Sequence, residues 1–160
     1  LVQEISGLEQ IPTEIDGCSA PTPFMTLESL ATMFQKLGSG EYDELNRIFN
    51  AMSKYPMMIG GTNNFDTDFI EALDGRGITK IGGESIRGIT LKTTDGDSIG
   101  IALKVLDGNF RALPVATMAL LNHLKLLSDI EAKTLNKFNT KIIKNHNQLE
   151  IGRIEAMIES

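Results

Sequence analysis

The sequence predicts an α+β fold in which an antiparallel sheet is flanked by helices, and three observations carry that prediction. Ile78 to Asp107 holds three short runs of strand-forming residues. An Asp95-Gly96 pair sits between the last two, flanked by alternating apolar and polar positions, which is a strong hairpin signal because both turn residues accept φ > 0. Leu113 to Leu127 is apolar almost all round, so as a helix it must lie against that sheet.

Taken in order, Leu1 to Ile5 reads as the tail of a helix ending at Gly7. Leu8 to Pro23 contains Pro12, Pro21 and Pro23, a density that excludes helix and keeps the backbone extended. Its mix of Ile and Cys with turn residues predicts an ordered, partly buried loop. Thr26 caps a helix over Leu27–Leu37 with Gly38 as its C-cap, and Glu41–Lys54 forms a second, antiparallel helix with Pro56 just past its end. Met57 to Asn64 is a loop, and Phe65 to Leu73 a short helix whose early acids complement the macrodipole. Strands follow over Ile78–Ile81, Ile86–Lys92 and Ser98–Val105, then the apolar helix. Ser128 to Lys144 reads as one or two further helices, and Leu149 to Ile154 alternates as an edge strand of the same sheet.

Composition narrows the function. A net charge of −6 argues against a nucleic-acid footprint, which needs a basic face to displace counterions from phosphates. No run approaches the roughly 18 to 20 apolar residues of a membrane span, and the first residues carry acids rather than the basic cluster of a signal peptide. The single cysteine, Cys18, forbids an internal disulfide framework and fits a reducing compartment, so the expected location is the cytoplasm.

Lys80 is the leading candidate for chemistry. It stands at the end of a strand just before Gly82 and Gly83, where bare backbone lets a substrate approach. Its ammonium can bind a carboxylate or, if desolvated, move a proton; the bland alternative is a solvated strand-edge lysine. Asp16 and Cys18 flank Gly17 in the proline-rich loop. Asp16 suits recognition of an amino group, and Cys18 suits a nucleophile, a metal ligand or a small buried apolar side chain. His123 and His146 show no paired spacing to Cys18 and read as structural or surface residues. Asn63-Asn64-Phe65-Asp66-Thr67 could line a pocket with amides, but reads first as a helix N-terminal loop with good capping residues, and Asp95 and Asp97 read as a turn. No Ser-x-x-Lys stands at a convincing helix start.

Several stretches in order are more specific than any one of them. These are Asp16-Gly17-Cys18, Pro23-Phe24, Gly61-Thr62-x-x-Phe65-Asp66-Thr67, Thr79-Lys80-x-Gly82-Gly83-Glu84, Gly100 to Lys104 with Asp107-Gly108, and Gly152-Arg153-Ile154. Together they resemble the C-terminal half of the asparaginase II family, the Rhizobium-type inducible asparaginases. The resemblance implies a fold similar to serine β-lactamases and penicillin-binding proteins, with Lys80-Ile81-Gly82 where those enzymes keep a strand Lys-Thr/Ser-Gly. It also implies hydrolysis of the L-asparagine side-chain amide to aspartate and ammonia. By the same resemblance Asp16 is the partner of the substrate α-amino group, Cys18 a zinc ligand, and Lys80 an active-site lysine, with Gly82 and Gly83 at the substrate. The family departs from this chain before Phe65-Asp66-Thr67, where it often has arginine and this chain has Asn63-Asn64.

The expectation is therefore an amidohydrolase piece that supplies part of a site, its serine nucleophile lying in an upstream half. A non-catalytic binding or oligomerisation module of the same half-fold is the competing reading. Another β-lactamase-like acyl hydrolase is a third. A half-fold also exposes apolar surface, which predicts a homo-oligomer.

Overall fold

The computed structural model describes residues 1–159 and is α+β, with antiparallel strand pairs flanked by helices. A one-turn helix α1 (Val2–Ser6) stops at Gly7, whose φ of 72° is the left-handed cap expected there. Strands β1 (Thr13–Ile15) and β2 (Pro21–Pro23) then pair antiparallel as a small hairpin. This corrects the expectation of a partly buried loop: Thr13 to Pro21 is exposed throughout. Three-residue strands rich in proline leave few ladder hydrogen bonds and little apolar surface to bury.

Helix α2 (Leu27–Ser39) is capped by Thr26, whose Oγ1 accepts the Ser29 amide at 3.1 Å. It ends at Gly40 rather than Gly38. Gly38 is instead a contact residue, because a Cβ built there would lie 2.2 Å from Thr90 Oγ1. Helices α3 (Asp43–Lys54) and α5 (Phe65–Leu73) fall where the sequence predicts helix. Between them Pro56 opens a short helix, α4 (Pro56–Gly60), in what reads as loop.

The central sheet has the order β3 (Gly77–Gly82), β4 (Ile86–Lys92), β5 (Ser98–Lys104), antiparallel throughout. Gly96 (φ 91°) turns the β4–β5 hairpin, and Thr93 and Asp97 close it with a 2.8 Å backbone bond. Register fixes two rows. Gly88 and Thr90 of β4 stand beside Ala102 and Gly100 of β5, in the row facing α2. A Cβ at Gly88 would sit 1.9 Å from the Phe34 ring, and one at Gly100 would sit 1.9 Å from the Ala31 carbonyl. The glycines let the helix backbone rest almost on the strands. The opposite row, with Ile89, Leu91 and Ile101, joins Phe65, Phe69 and Leu73 of α5 and Met118 and Leu121 of α6 (Leu113–His123) in the core.

Helix α6 is shorter than Leu113–Leu127 because Lys125 turns left-handed (φ 53°), which folds Leu126 and Leu127 back onto the core. After α7 (Asp129–Thr134) and a 3-10 turn, Lys141–Lys144 is not helix but strand β6. The last strand, β7 (Glu150–Ile154), pairs with β6 and does not extend the central sheet. Asn145 makes that local pairing by accepting the amides of Asn147 and Leu149, both at 3.0 Å, in the turn that joins the strands. No helix among the described residues is long and apolar enough to cross a membrane.

Candidate functional site

Lys80 lies directly across from Gly88, so it belongs to the α2-facing row. Its side chain is exposed, and Nζ donates to the neighbouring Ile81 carbonyl at 2.8 Å. No acid forms an ion pair with it among the described residues. Just beyond, Gly83 is open, with nothing within 4 Å of a Cβ built there, whereas Gly82 abuts Ile86.

The chain then does something costly. Glu84 (φ 56°) and Ser85 (φ 59°) are consecutive non-glycine residues in the left-handed region, a conformation worth roughly 1–2 kcal/mol of strain per residue. Three tethers hold it. The fully buried Ser85 donates Oγ–H to the Asn109 carbonyl at 3.1 Å, the Val105 amide donates to Ser85 at 3.0 Å, and Lys104 Nζ donates to the Glu84 carbonyl. Gly108 (φ 70°) completes the rim, for a Cβ there would meet the Glu84 carboxylate at 2.6 Å. The Lys80–Ser85 turn and the Asp107–Asn109 loop thus form one braced edge beside Lys80. The sequence places Glu84 at the end of the Thr79-Lys80-x-Gly82-Gly83-Glu84 stretch but gives neither it nor Ser85 a role; the only signal was two non-glycines following a glycine pair.

Asp16 and Cys18 sit at the tip of the β1–β2 hairpin, both exposed. Asp16 Oδ1 accepts the Cys18 amide at 2.8 Å, a local turn of the Asx kind. Hydrogen bonds from the Cys18 thiol, then its amide, and from Thr22 hold the Asp16 carboxyl below the usual carboxylate range. The carboxylate is therefore ionised at neutral pH and suited to an ammonium group. No hydrogen bond or ion pair joins Asp16 or Cys18 to Lys80 among the described residues.

Zinc, the cofactor implied for Cys18, takes four ligands in a structural site. Among the described residues no three His, Cys, Asp or Glu side chains cluster to hold a metal. Cys18 offers one exposed thiol and no enclosing set, so the described residues alone do not enclose a zinc ion.

A second constellation was also missed. On the other face of the sheet, Arg87 of β4 forms an ion pair with Asp66 of α5 at 2.9 Å, both side chains sealed from solvent. Asp66 Oδ2 also accepts the Ile81 amide at 2.8 Å, which ties α5 to the edge strand one residue beyond Lys80. Burial lowers Arg87 to about 10, Asp66 counteracting it, so it stays charged. The guanidinium lies 4.1 Å from the centroid of the Phe65 ring. Arg87, Phe65 and Ile81 border a cleft of about 260 Å³. Lys80, Asp16 and Cys18 do not line it.

With this geometry in place, the match to known families becomes informative. The L-asparaginase II family model matches residues 1–156. The chain belongs to the L-asparaginase II family. No curated protein matches it significantly.

Proposed function

We propose that the chain works in an L-asparaginase-type amidohydrolase, hydrolysing the side-chain amide of L-asparagine to aspartate and ammonia. The family match over residues 1–156 carries this reading, and the braced turn next to Lys80 supports it, since such strain persists where the surroundings over-determine it. Lys80 supplies an unpaired cation at that turn. Gly83, next to Gly82, leaves backbone bare for the substrate, and ionised Asp16 matches the substrate ammonium. These residues contribute one part of the site, and the nucleophile that attacks the amide carbon comes from outside this set. Cys18 is the thiol available to a zinc ion completed by other ligands.

The test is ammonia release from L-asparagine by the full-length protein and its Lys80→Ala variant. A loss on the order of 10²-fold or more, with an unchanged melting temperature, supports the reading. Absence of ammonia from both L-asparagine and L-glutamine overturns it in favour of a non-catalytic binding module.

The reading includes self-association, supported by the exposed Leu149, Ile151 and Met157 before, on and after β7. A monomer by light scattering across a wide concentration range would refute that part.

A further inference from the structure

The cleft bordered by Arg87 lies on the face of the sheet opposite Lys80 and has a chemical character of its own. Its lining includes three phenylalanines, Phe65, Phe110 and Phe138, and four cations, Arg87, Arg111, Lys137 and Lys141, but no carboxylate. Three of the cations already have acids outside the lining: Asp66 on Arg87, Asp107 on Arg111 and Asp68 on Lys137. Lys141 has no ion pair among the described residues. In addition, Arg87 Nε is buried without a hydrogen-bond partner, an expensive condition for a guanidinium N–H. The site therefore offers one uncompensated positive charge, on Lys141, and aromatic walls, while the Arg87 Nε is sealed from an occupant. Phe65 and Phe138 meet edge to face at 4.9 Å, while Phe110 is half exposed at the opening.

From this we propose that the cleft is a binding site for a small aromatic monocarboxylate, distinct from the amide-hydrolysing site and independent of that assignment. The ring packs among the phenylalanines and the carboxylate meets Lys141. The 260 Å³ equals about nine water-sized groups at roughly 30 Å³ each, the scale of a phenyl ring with a two-carbon acid. Charge and ring together set the class. A dianion such as succinate exceeds the single free charge, and an uncharged aromatic leaves it unmet.

Titration of the purified full-length protein with phenylacetate, 2-phenylethanol and acetate, read by calorimetry, tests this. Phenylacetate should bind one per chain and about tenfold more tightly than either of the other two. Lys141→Gln and Phe110→Ala, both at exposed positions that should fold normally, should each weaken phenylacetate about fivefold or more. Lys80→Ala should not change it. Equal affinity for phenylacetate and 2-phenylethanol, no saturable binding, or indifference to both cleft variants would overturn the proposal. Loss of ammonia release without loss of phenylacetate binding would separate the two sites.

Discussion

Asp66 and Arg87 meet at 2.9 Å with 0% and 1% of their side chains exposed, so the first turn of α5 is locked to the middle strand of the sheet by a fully desolvated ion pair. The same aspartate grips the Ile81 amide, and the same arginine lies against Phe65. One pair thus fixes the edge strand, the helix and an aromatic of the core.

Removing either partner leaves the other charge buried and alone. Asp66→Asn or Arg87→Met should each cost about 3–5 kcal/mol, measured by urea unfolding. The double variant should cost less than the sum of the two singles, because neither charge then remains stranded.

Glu131 is a staple of a different kind. It completes the capping box of α7 with Ser128 and receives both Nε and Nη2 of Arg76, at 2.8 and 2.6 Å. Burial alone would push the carboxyl up, but the Arg76 and Ser128 donors outweigh it and hold it below its ordinary value of 4.5. A carboxyl lowered in the folded state adds stability that is fully present above the unfolded value and is lost as pH falls through the folded one. Glu131→Gln should therefore cost about 1–2 kcal/mol near neutral pH, with Arg76 partly solvated. Its penalty should shrink in acid below pH 4.5, as denaturation at a series of pH values would reveal.

Gly100 and Gly88 predict unequal costs for the same change. A methyl at Gly100 strikes backbone, the Ala31 carbonyl and the Gln35 amide, so α2 itself must lift. A methyl at Gly88 strikes the Phe34 ring, which is a side chain that can rotate away. Gly100→Ala should destabilise by at least about 2–3 kcal/mol and Gly88→Ala by less, with thermal melts ranking the two.

Strain at the Lys80 turn gives an opposite sign. Glu84→Gly removes a left-handed non-glycine residue and should raise stability by about 0.5–1 kcal/mol. Ser85→Gly should gain less, because it also discards the Oγ–H bond to Asn109. If the turn serves catalysis, Glu84→Gly should lose ammonia-releasing activity while melting higher.

Local signals were read well from the sequence. Thr26 and Asn64 cap their helices, Gly7 ends α1, and Asp95-Gly96 turns the β4–β5 hairpin, each through contacts within a few residues. Helices α2, α3 and α5 also fall where the sequence predicts helix. What escaped depends on distant partners. Gly38 resembles a helix cap until Thr90 is found against it. Asp66 reads as a macrodipole acid, and Arg87 as one polar position in an alternating strand, until α5 closes over the sheet. β7 has the pattern of an edge strand, but pattern does not name the edge, and the Asn145 turn hands it to β6. For the site, residue types suggested Lys80 and Asp16 separately; the braced Glu84-Ser85 backbone beside Lys80 emerges only in three dimensions.

The hairpin that carries Asp16 and Cys18 packs chiefly on itself, exposed and outside the core formed by the sheet and helices. Its opening therefore breaks only its own short ladder and leaves the Asp66–Arg87 lock untouched. Its amides should exchange with solvent deuterium long before those of β4. Lys80 and Asp16 accordingly ride on parts of very different rigidity, and a ligand that bridges them would be recognised largely by how much it slows exchange at the hairpin.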